Sequence, residues 1–513
     1  MGRPVVVAYD VGTSGVKAVV VDAAGGVIGS ASRAYRLSTP APGWVEQDVD
    51  EICMQLGAAS RELVAAAGVD SGDVAGIAVT AQMFNVVPVD GAGRPCAPML
   101  SWLDQRAAPQ AARLAAAIDP GAQYDLFDSV LTAKDIVPRI RWLAEERPGV
   151  LQGTSWLLDC KEAIVARLTG QMAIDPAGAS AFRLMDPATR AWDRGRCEAA
   201  GVPIGLLPQI RPATAVAGTL TPEAADLTGL PRGVPVVVGA GDVPASQLGA
   251  GAIAHGETHL SLGTAVYFGI TTDTPLADPA RQLGVIGHAD PERWILWLEI
   301  ATGGGALEWL RRILDDLSGG TSGLDHATIE RLVADAATGM DELLFVPWLT
   351  GERVPLFDDS IRGAFVGLSL SHGRGHLVRA VMEGVASQIA WAYEYGLRYG
   401  VAPGPIRAVG GGSIGQAWTT MIAEALDRPL EVVADPQEAA ARGAAACALV
   451  GLGLVEDFAA AARSVRVERV ILPDPAAVAT ARDRGRRFRP LYEALAPLQA
   501  GSIDPTVALA GSV

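Results

Sequence analysis

The 513-residue chain has no histidine before residue 250; all six lie beyond it. Acid–base chemistry in the N-terminal half must then come from another group, and Asp and Glu lead the candidates. Cysteine is scarce too. Cys53, Cys96, Cys160, Cys197 and Cys447 stand apart, with no CxxC pair. That argues against zinc, iron–sulfur and a disulfide framework, and leaves buried reduced thiols. No uninterrupted apolar run reaches the length of a membrane span, although 50% of the residues are hydrophobic. No basic cluster offsets the net charge of −16. Nucleic-acid affinity, which starts from phosphate neutralisation, is not expected. The opening residues do not read as a signal peptide, so a cytoplasmic location is expected.

The length is too great for one compact core and predicts two large domains. VVVAYDVGTSGVKAVVVD, residues 5–22, reads as a β-hairpin with a Gly-Thr-Ser turn. VAGIAVTAQMFNVVPVD, residues 74–90, reads as two strands around 80–85, and Ala107 to about Ala117 as a helix. IVPRIRWLAEERPGV is a helix with Pro138 early in it and Pro148-Gly149 after its last turn. VPVVVGAGDVPASQLGAGA is a buried strand, a Gly-rich turn with Asp242, then a helix. The second half restarts the pattern: ETHLSLGTAVYFGI, residues 257–270, is strand, Gly-Thr turn, strand. IRAVGGGSIGQAWTTMIAEALDRPLEVV is strand, triple-Gly turn, helix, strand. The expected division is 1–245, 246–496 and a tail at 497–513.

The turns carry the chemistry. Gly12, Thr13 and Ser14 offer backbone N–H groups and hydroxyls to an anion such as phosphate, and Lys17 can add charge. Asp10 would repel phosphate unless a divalent cation sits between them, and magnesium binds in that way. An ordinary hairpin turn has the same composition. Gly263-Thr264 repeats the hairpin. Gly411, Gly412 and Ser413 form a turn feeding a helix N-terminus, where phosphate is favoured, and Gly304 stands in a further turn of that kind. Neither a Walker A loop nor a dinucleotide fingerprint is present. Asp242 follows a buried Val run among small residues. It suits the group that accepts a hydroxyl proton in phosphoryl transfer, and equally a helix N-cap before Val243-Pro244.

Together these segments resemble the FGGY family of carbohydrate kinases, of the actin-like ATPase superfamily. The resemblance rests on DVGTSGVKAVVVD, TAQM (80–83), SWLDQRA (101–107), ASAFRLMDPATRAW (179–192), GAGDVPASQLGAG (239–251), the stretch 349–386 and VGGGSIGQAW (409–418). It implies an α/β fold of two actin-like (ribonuclease H-like) domains with a central cleft. Sugar and catalytic base would lie on the first domain and ATP on the second, with ATP and Mg2+ as cofactors. Asp242 would be the general base, and Asp10 and Asp242 would hold the metal. Gln82, Met83, Phe84, Trp102, Asp104 and Arg106 would meet the sugar, and the Gly, Thr, Ser and Lys positions named above would meet ATP. A homodimer is suggested by the resemblance alone.

Within the family the resemblance runs toward xylulokinases. The chain departs from their pattern at Met83-Phe84-Asn85, where they have Met-His-Gly, and at Asp242-Val243, where they have Asp-Asn. Two hydroxyl-binding side chains are thereby lost, which bears on specificity. A pentulose such as xylulose is the first expectation; ribulose, a small polyol or a sugar acid such as gluconate are the alternatives. A sugar- or nucleotide-binding regulator without turnover is the alternative of a different class, and an actin-like ATPase that drives a partner is a third. Trp102, Asp104 and Arg106 are expected to share one face of a strand, where the last two either meet the sugar or form a buried ion pair. The helix carrying Arg139 is read as structural. Glu352, Arg353 and Arg362 are read as inter-element ion pairs.

Overall fold

The computed structural model describes residues 4–68, 70–276, 278, 283–317, 324–336 and 343–499. The chain forms two compact units. The first comprises Met1–His255, Ile270–Leu296 and Gln437–Arg466; the second comprises Gly256–Gly269, Trp297–Pro436 and Val467–Val513.

β-Branched runs build the sheet of the first unit. Val5–Val11 (β1) turns back into Gly15–Asp22 (β2), and Val27–Ala34 (β3) adds a third antiparallel strand. Val74–Ala81 (β4) runs parallel to β1. Val216–Thr219 (β5) and Pro235–Val237 (β6) complete the order β5-β6-β4-β1-β2-β3. Alternation along β1 feeds two cores. Val5, Val7, Tyr9 and Val11 meet Ile52, Leu56 and Leu63 of the helix Val49–Ala67 and Ile164 and Leu168 of the helix Cys160–Thr169. Val6 and Ala8, with Val19 and Val21, meet Ala441, Ala445 and Leu449 of the helix Ala439–Gly451. A mainly apolar strand with helices on both faces is the α/β arrangement.

The helix Asp242–Gly249 packs closely against Ala439–Gly451. A Cβ on Gly249 would lie 1.7 Å from the carbonyl oxygen of Ala439, and one on Gly443 would lie 1.8 Å from that of Ala245. Only glycine fits at either position. Arg442 Nε donates to Gly249 O at 3.0 Å beside the contact.

A second sheet, most of whose residues belong to the second unit, has Thr258–Leu262 (β7), Val266–Thr272 (β8), Trp294–Ile300 (β9), Ile406–Val409 (β10), Leu430–Val433 (β11) and Val467–Ile471 (β12) as neighbours in the order β9-β8-β7-β10-β11-β12. The helix Arg374–Leu397 buries Val378, Val381, Val385 and Ile389. Of the expected tail, 497–499 end the helix Leu491–Gln499, and 500–513 lie outside the described residues.

Two local expectations differ. Residues 101–107 form turns, not a strand. The Asp104 carboxylate accepts the backbone N–H of Val45 (2.6 Å) and of Arg106 (3.0 Å), which folds the segment on itself. Pro148-Gly149 follow the last turn of the helix Ile136–Glu146 as expected, and Pro148 also opens a short helix, Pro148–Gly153, at the first-turn position that proline tolerates. Glu352 forms no ion pair among the described residues. Its Oε1 accepts the N–H of Ala301 (2.9 Å) and Arg353 (2.7 Å). Arg362 donates to the carbonyls of Asp359 and Ile361.

Candidate active site

Asp10 stands at the end of β1, opposite Lys17 on β2 and Thr80 on β4. The turn after it is closed by Gly12 N–H donating to Gly15 O at 2.9 Å and braced by the Tyr35 hydroxyl, which reaches the carbonyls of Gly12 and Gly15. Ser14 is exposed. Lys17 turns to the segment before the closing helix: its Nζ donates to Gln437 O at 2.8 Å and pairs with Glu438 at 3.2 Å.

Thr13 joins the turn to the segments 80–83 and 101–107. Its hydroxyl donates to Gln82 Oε1 (3.2 Å) and accepts from Trp102 Nε1 (3.0 Å). Gln47 closes the network: its Nε2 donates to Thr13 O (2.8 Å), and its Oε1 accepts from Gln82 Nε2 (2.7 Å). Met83 is buried, and a Cβ on Gly241 would meet its side chain at 2.5 Å. Met83 therefore lies directly against the residue that caps the Asp242 helix. Phe84 has φ +65°, a left-handed conformation unusual for an aromatic residue.

Asn85, next in line, holds that bend. Its Nδ2 donates to Gln82 O and Asp159 Oδ1 (both 2.8 Å), its N–H to Asp159 Oδ1 (3.0 Å), and its Oδ1 accepts Trp102 N–H (3.0 Å). Arg139 completes the frame. This fully buried guanidinium donates to the carbonyls of Phe84, Leu100, Ser101, Lys134 and Asp135, so each of its five N–H groups has an acceptor. Burial lowers its pKa to about 10.

Asp104 and Arg106 form a buried ion pair at 2.8 Å. Arg106 also pairs with Glu46 (2.8 Å), and its guanidinium lies 3.9 Å from the Trp44 ring centre and 4.9 Å from that of Trp142. Its Nε donates to Asp104, its charge is paired with two carboxylates, and tryptophan rings lie against it.

Asp242 is the first residue of its helix; Gly241 holds the N-cap position. One carboxylate oxygen accepts the N–H of Val243 at 2.9 Å. Burial, then the charge of Asp10, pushes its pKa up to about 7. Burial pushes Asp10 up to about 6; Lys17 works against the rise and Glu438 adds to it. Both carboxylates are part-exposed by surface area yet deep enough for desolvation to dominate.

In the second unit the expected glycine turns meet at one corner. Gly304 N–H donates to Gly263 O (2.9 Å), and the N–H groups of Gly303 and Gly305 to Thr264 O (2.8 and 3.0 Å). A Cβ on Gly412 would lie 3.0 Å from both Leu262 and Trp418. Ser413 is buried and its hydroxyl donates to Gly410 O at 2.7 Å. Gly304 opens the helix Gly304–Leu317, and the helix Gln416–Leu426 follows the 410–414 turn.

Residues 5–249 match the N-terminal domain, and 259–452 the C-terminal domain, of the FGGY family of carbohydrate kinases. The chain belongs to that family. Among its relatives, a xylulose kinase of Escherichia coli strain K12 is 28% identical over 499 residues, covering 96% of this chain and 100% of its own. A gluconokinase of Bacillus licheniformis is 27% identical, covering 88% of each chain. The crystal structure of a xylulose kinase from Rhodospirillum rubrum superposes with a TM-score of 0.85 at 32% identity, covering 97% of this chain and 100% of that one. The protein is thus an FGGY carbohydrate kinase of the two-domain actin-like fold, and its family binds a sugar and ATP.

This FGGY chain brings Asp10, Thr13, Gln82, Met83, Trp102 and Asp242 into its first unit, and Gly263, Thr264, Gly304, Gly411, Gly412 and Ser413 into its second. Sequence reasoning missed Tyr35, Gln47 and Asp159 and gave Arg139 no part in the site. The local signal for Arg139 was a single cation in an otherwise apolar helix stretch, IVPRI. Among the described residues no helix is long and apolar enough to cross a membrane.

Proposed function

We propose that this kinase transfers the γ-phosphoryl group of ATP to a hydroxyl of a pentulose such as xylulose, with Asp242 as general base. The observation that carries the reading is Asp242 itself. It opens a helix fixed by the Gly249–Gly443 contact, and its proton affinity is raised by burial and by Asp10 to about 7. A base poised there takes a proton near neutral pH without holding it too tightly. The sugar hydroxyl oxygen bonds to the γ-phosphorus as its proton passes to Asp242, and ADP leaves.

Gln82, Met83, Phe84 and Trp102 orient the sugar, held by Asn85, Arg139 and the buried Asp104–Arg106 pair. Lys17, Gly12, Thr13 and Ser14 contribute to the phosphate side, while Gly263, Thr264, Gly304, Gly411, Gly412 and Ser413 take the nucleotide. The donor set fits magnesium: Asp10 and Asp242 are carboxylates whose charges oppose each other in a desolvated setting, which a divalent cation relieves. Asp10 and Asp242 would hold it, and bound there it supplies charge neutralisation for the phosphate oxygens. The same reading places the protein in the cytoplasm, with a homodimer as its expected assembly.

A sugar acid is the second reading, favoured by the near-equal identity of a gluconokinase and a xylulose kinase to this chain. Coupled ADP release with ATP and magnesium tests both, against D- and L-xylulose, D- and L-ribulose, four- and five-carbon polyols, glycerol and gluconate. A strong response to a pentulose that Asp242→Ala abolishes is the expected result. A response confined to gluconate moves the assignment to the sugar acid. Turnover that survives Asp242→Ala removes Asp242 from the chemistry, and silence across the panel with ATP still bound favours a regulator.

A further inference from the structure

The strand register of the first unit puts two charges where an apolar row ends. β1 and β2 pair Val6 with Val21, Ala8 with Val19 and Asp10 with Lys17. Residues two apart on a strand share a face, so the three pairs form one row. Its first two pairs pack against Ala441, Ala445 and Leu449 of the helix Ala439–Gly451. At its other end Lys17 meets Gln437 and Glu438, the two residues before that helix.

Glu438 holds the N-cap position, yet its side chain accepts no N–H of the first turn. A side chain there ordinarily serves those orphan donors. This one is turned to Lys17, with Oε2 3.2 Å from Nζ. Oε2 is buried, and a buried carboxylate deprived of its cation is costly.

Lys17 is held on one side and open on another. Its Nζ also donates to Gln437 O at 2.8 Å, and 23% of its side chain is exposed. An ammonium carries three N–H groups. Gln437 O takes one and Glu438 engages another, which leaves one for a phosphate oxygen. Asp10 belongs to the same cluster: beyond burial, the charges that act on it are those of Lys17 and then Glu438. The helix that follows Glu438 also carries Gly443, whose contact with Ala245 fixes the helix opened by Asp242. One element therefore references both the base and the cation.

We infer that Glu438 is a positioning residue of the phosphate side: it holds the Lys17 ammonium beside Asp10, so that ATP meets a cation already in place. The inference rests on the reading that Lys17 meets phosphate. A free lysine surrenders its rotamer freedom on meeting a phosphate, whereas a held one has surrendered it beforehand. The bare charge of Glu438 acts in the opposite direction. A carboxylate near phosphate repels it, so removing a charge that positions nothing would tighten nucleotide binding. The sign of the effect separates the two roles.

The test is calorimetric titration of the full chain with magnesium and a non-hydrolysable ATP analogue. Glu438→Gln keeps the size of the side chain and removes its charge. The expected result is binding weakened about tenfold, the scale of ordering one lysine side chain, with part of the affinity kept in Glu438→Asp. Lys17→Met should itself weaken binding, and on that background Glu438→Gln should cost nothing more, because Glu438 acts through Lys17. Thermal unfolding verifies that each variant is folded. Binding unchanged or tightened in folded Glu438→Gln overturns the inference, and so does an equal loss on the Lys17→Met background. Lys17→Met without effect fails the phosphate reading, and the inference falls with it.

Discussion

Gly443→Ala should cripple phosphoryl transfer from a position that touches no reacting atom. The added Cβ would stand 1.8 Å from the Ala245 carbonyl oxygen, and real Cβ contacts essentially never fall below 3.0 Å. The two helices must therefore separate locally by about 3.0 − 1.8 = 1.2 Å. Ala245 is within the first turn of the helix that Asp242 opens, so the carboxylate moves with it. A displacement of about 1 Å at a catalytic group costs on the order of a hundredfold in rate. Overpacking of this kind also destabilises by about 1–3 kcal/mol. Coupled ADP release would read the first effect as a fall in kcat, with the KM for sugar much less changed. Urea denaturation would read the second. Gly149→Ala is the control, because nothing lies within 4 Å of its Cβ position. A folded Gly443→Ala protein with undiminished kcat would refute the argument that this contact sets the position of Asp242.

Three further outcomes are expected. Asp242 is raised to about 7 without metal, so the kcat/KM profile should rise with pH on its acid limb as the carboxylate loses its proton, and in the presence of magnesium, whose charge opposes the rise, that limb should lie below pH 7. Asp10→Asn removes a charge that raises that value, so in its residual activity the limb should move to lower pH; a limb that stays in place would deny the coupling. Arg139→Met removes the side-chain donor from five carbonyls, of which Leu100 and Ser101 keep a backbone N–H, and should cost about 3 kcal/mol in urea denaturation, with the KM for sugar rising more than the KM for ATP; equal changes in both constants would reduce Arg139 to a general stabiliser. Glu352 is raised by burial to about 8 against an ordinary 4.5, so the native state favours its protonated form. Its contribution to stability is full below about 4.5 and lost as pH rises through about 8. Glu352→Gln should flatten that decline in urea midpoints, and an unchanged slope would sink the assignment.

Much of the fold was legible because its signals are local. Alternating β-branched residues on either side of Gly12–Ser14 specify the first hairpin, and Gly263-Thr264 and the triple glycine mark the turns of the second unit. The site's acids were legible for the same reason, since each ends an apolar run at a small-residue turn. Its frame was not. Gln47 reaches Gln82 across 35 positions, Arg139 reaches Phe84 across 55, and Asp159 reaches Asn85 across 74. Nothing near any of these residues announces its partner. Segment 101–107 shows how tertiary structure overrides pattern. Its alternation suggested a strand, but the buried Asp104 carboxylate took up backbone N–H groups and Arg106 settled between two tryptophans.

The helix Ala439–Gly451 has a consequence for biosynthesis. It covers the face of the first sheet formed by Val6, Ala8, Val19 and Val21, yet it leaves the ribosome after most of the chain has been made. Until then the unit that holds Asp10, Gln82 and Asp242 carries a bare apolar sheet face. Nascent chains of every intermediate length must keep that face from sticking, which is where chaperones act. A gene fragment ending at residue 255 would encode each of these three residues and still make an aggregation-prone product.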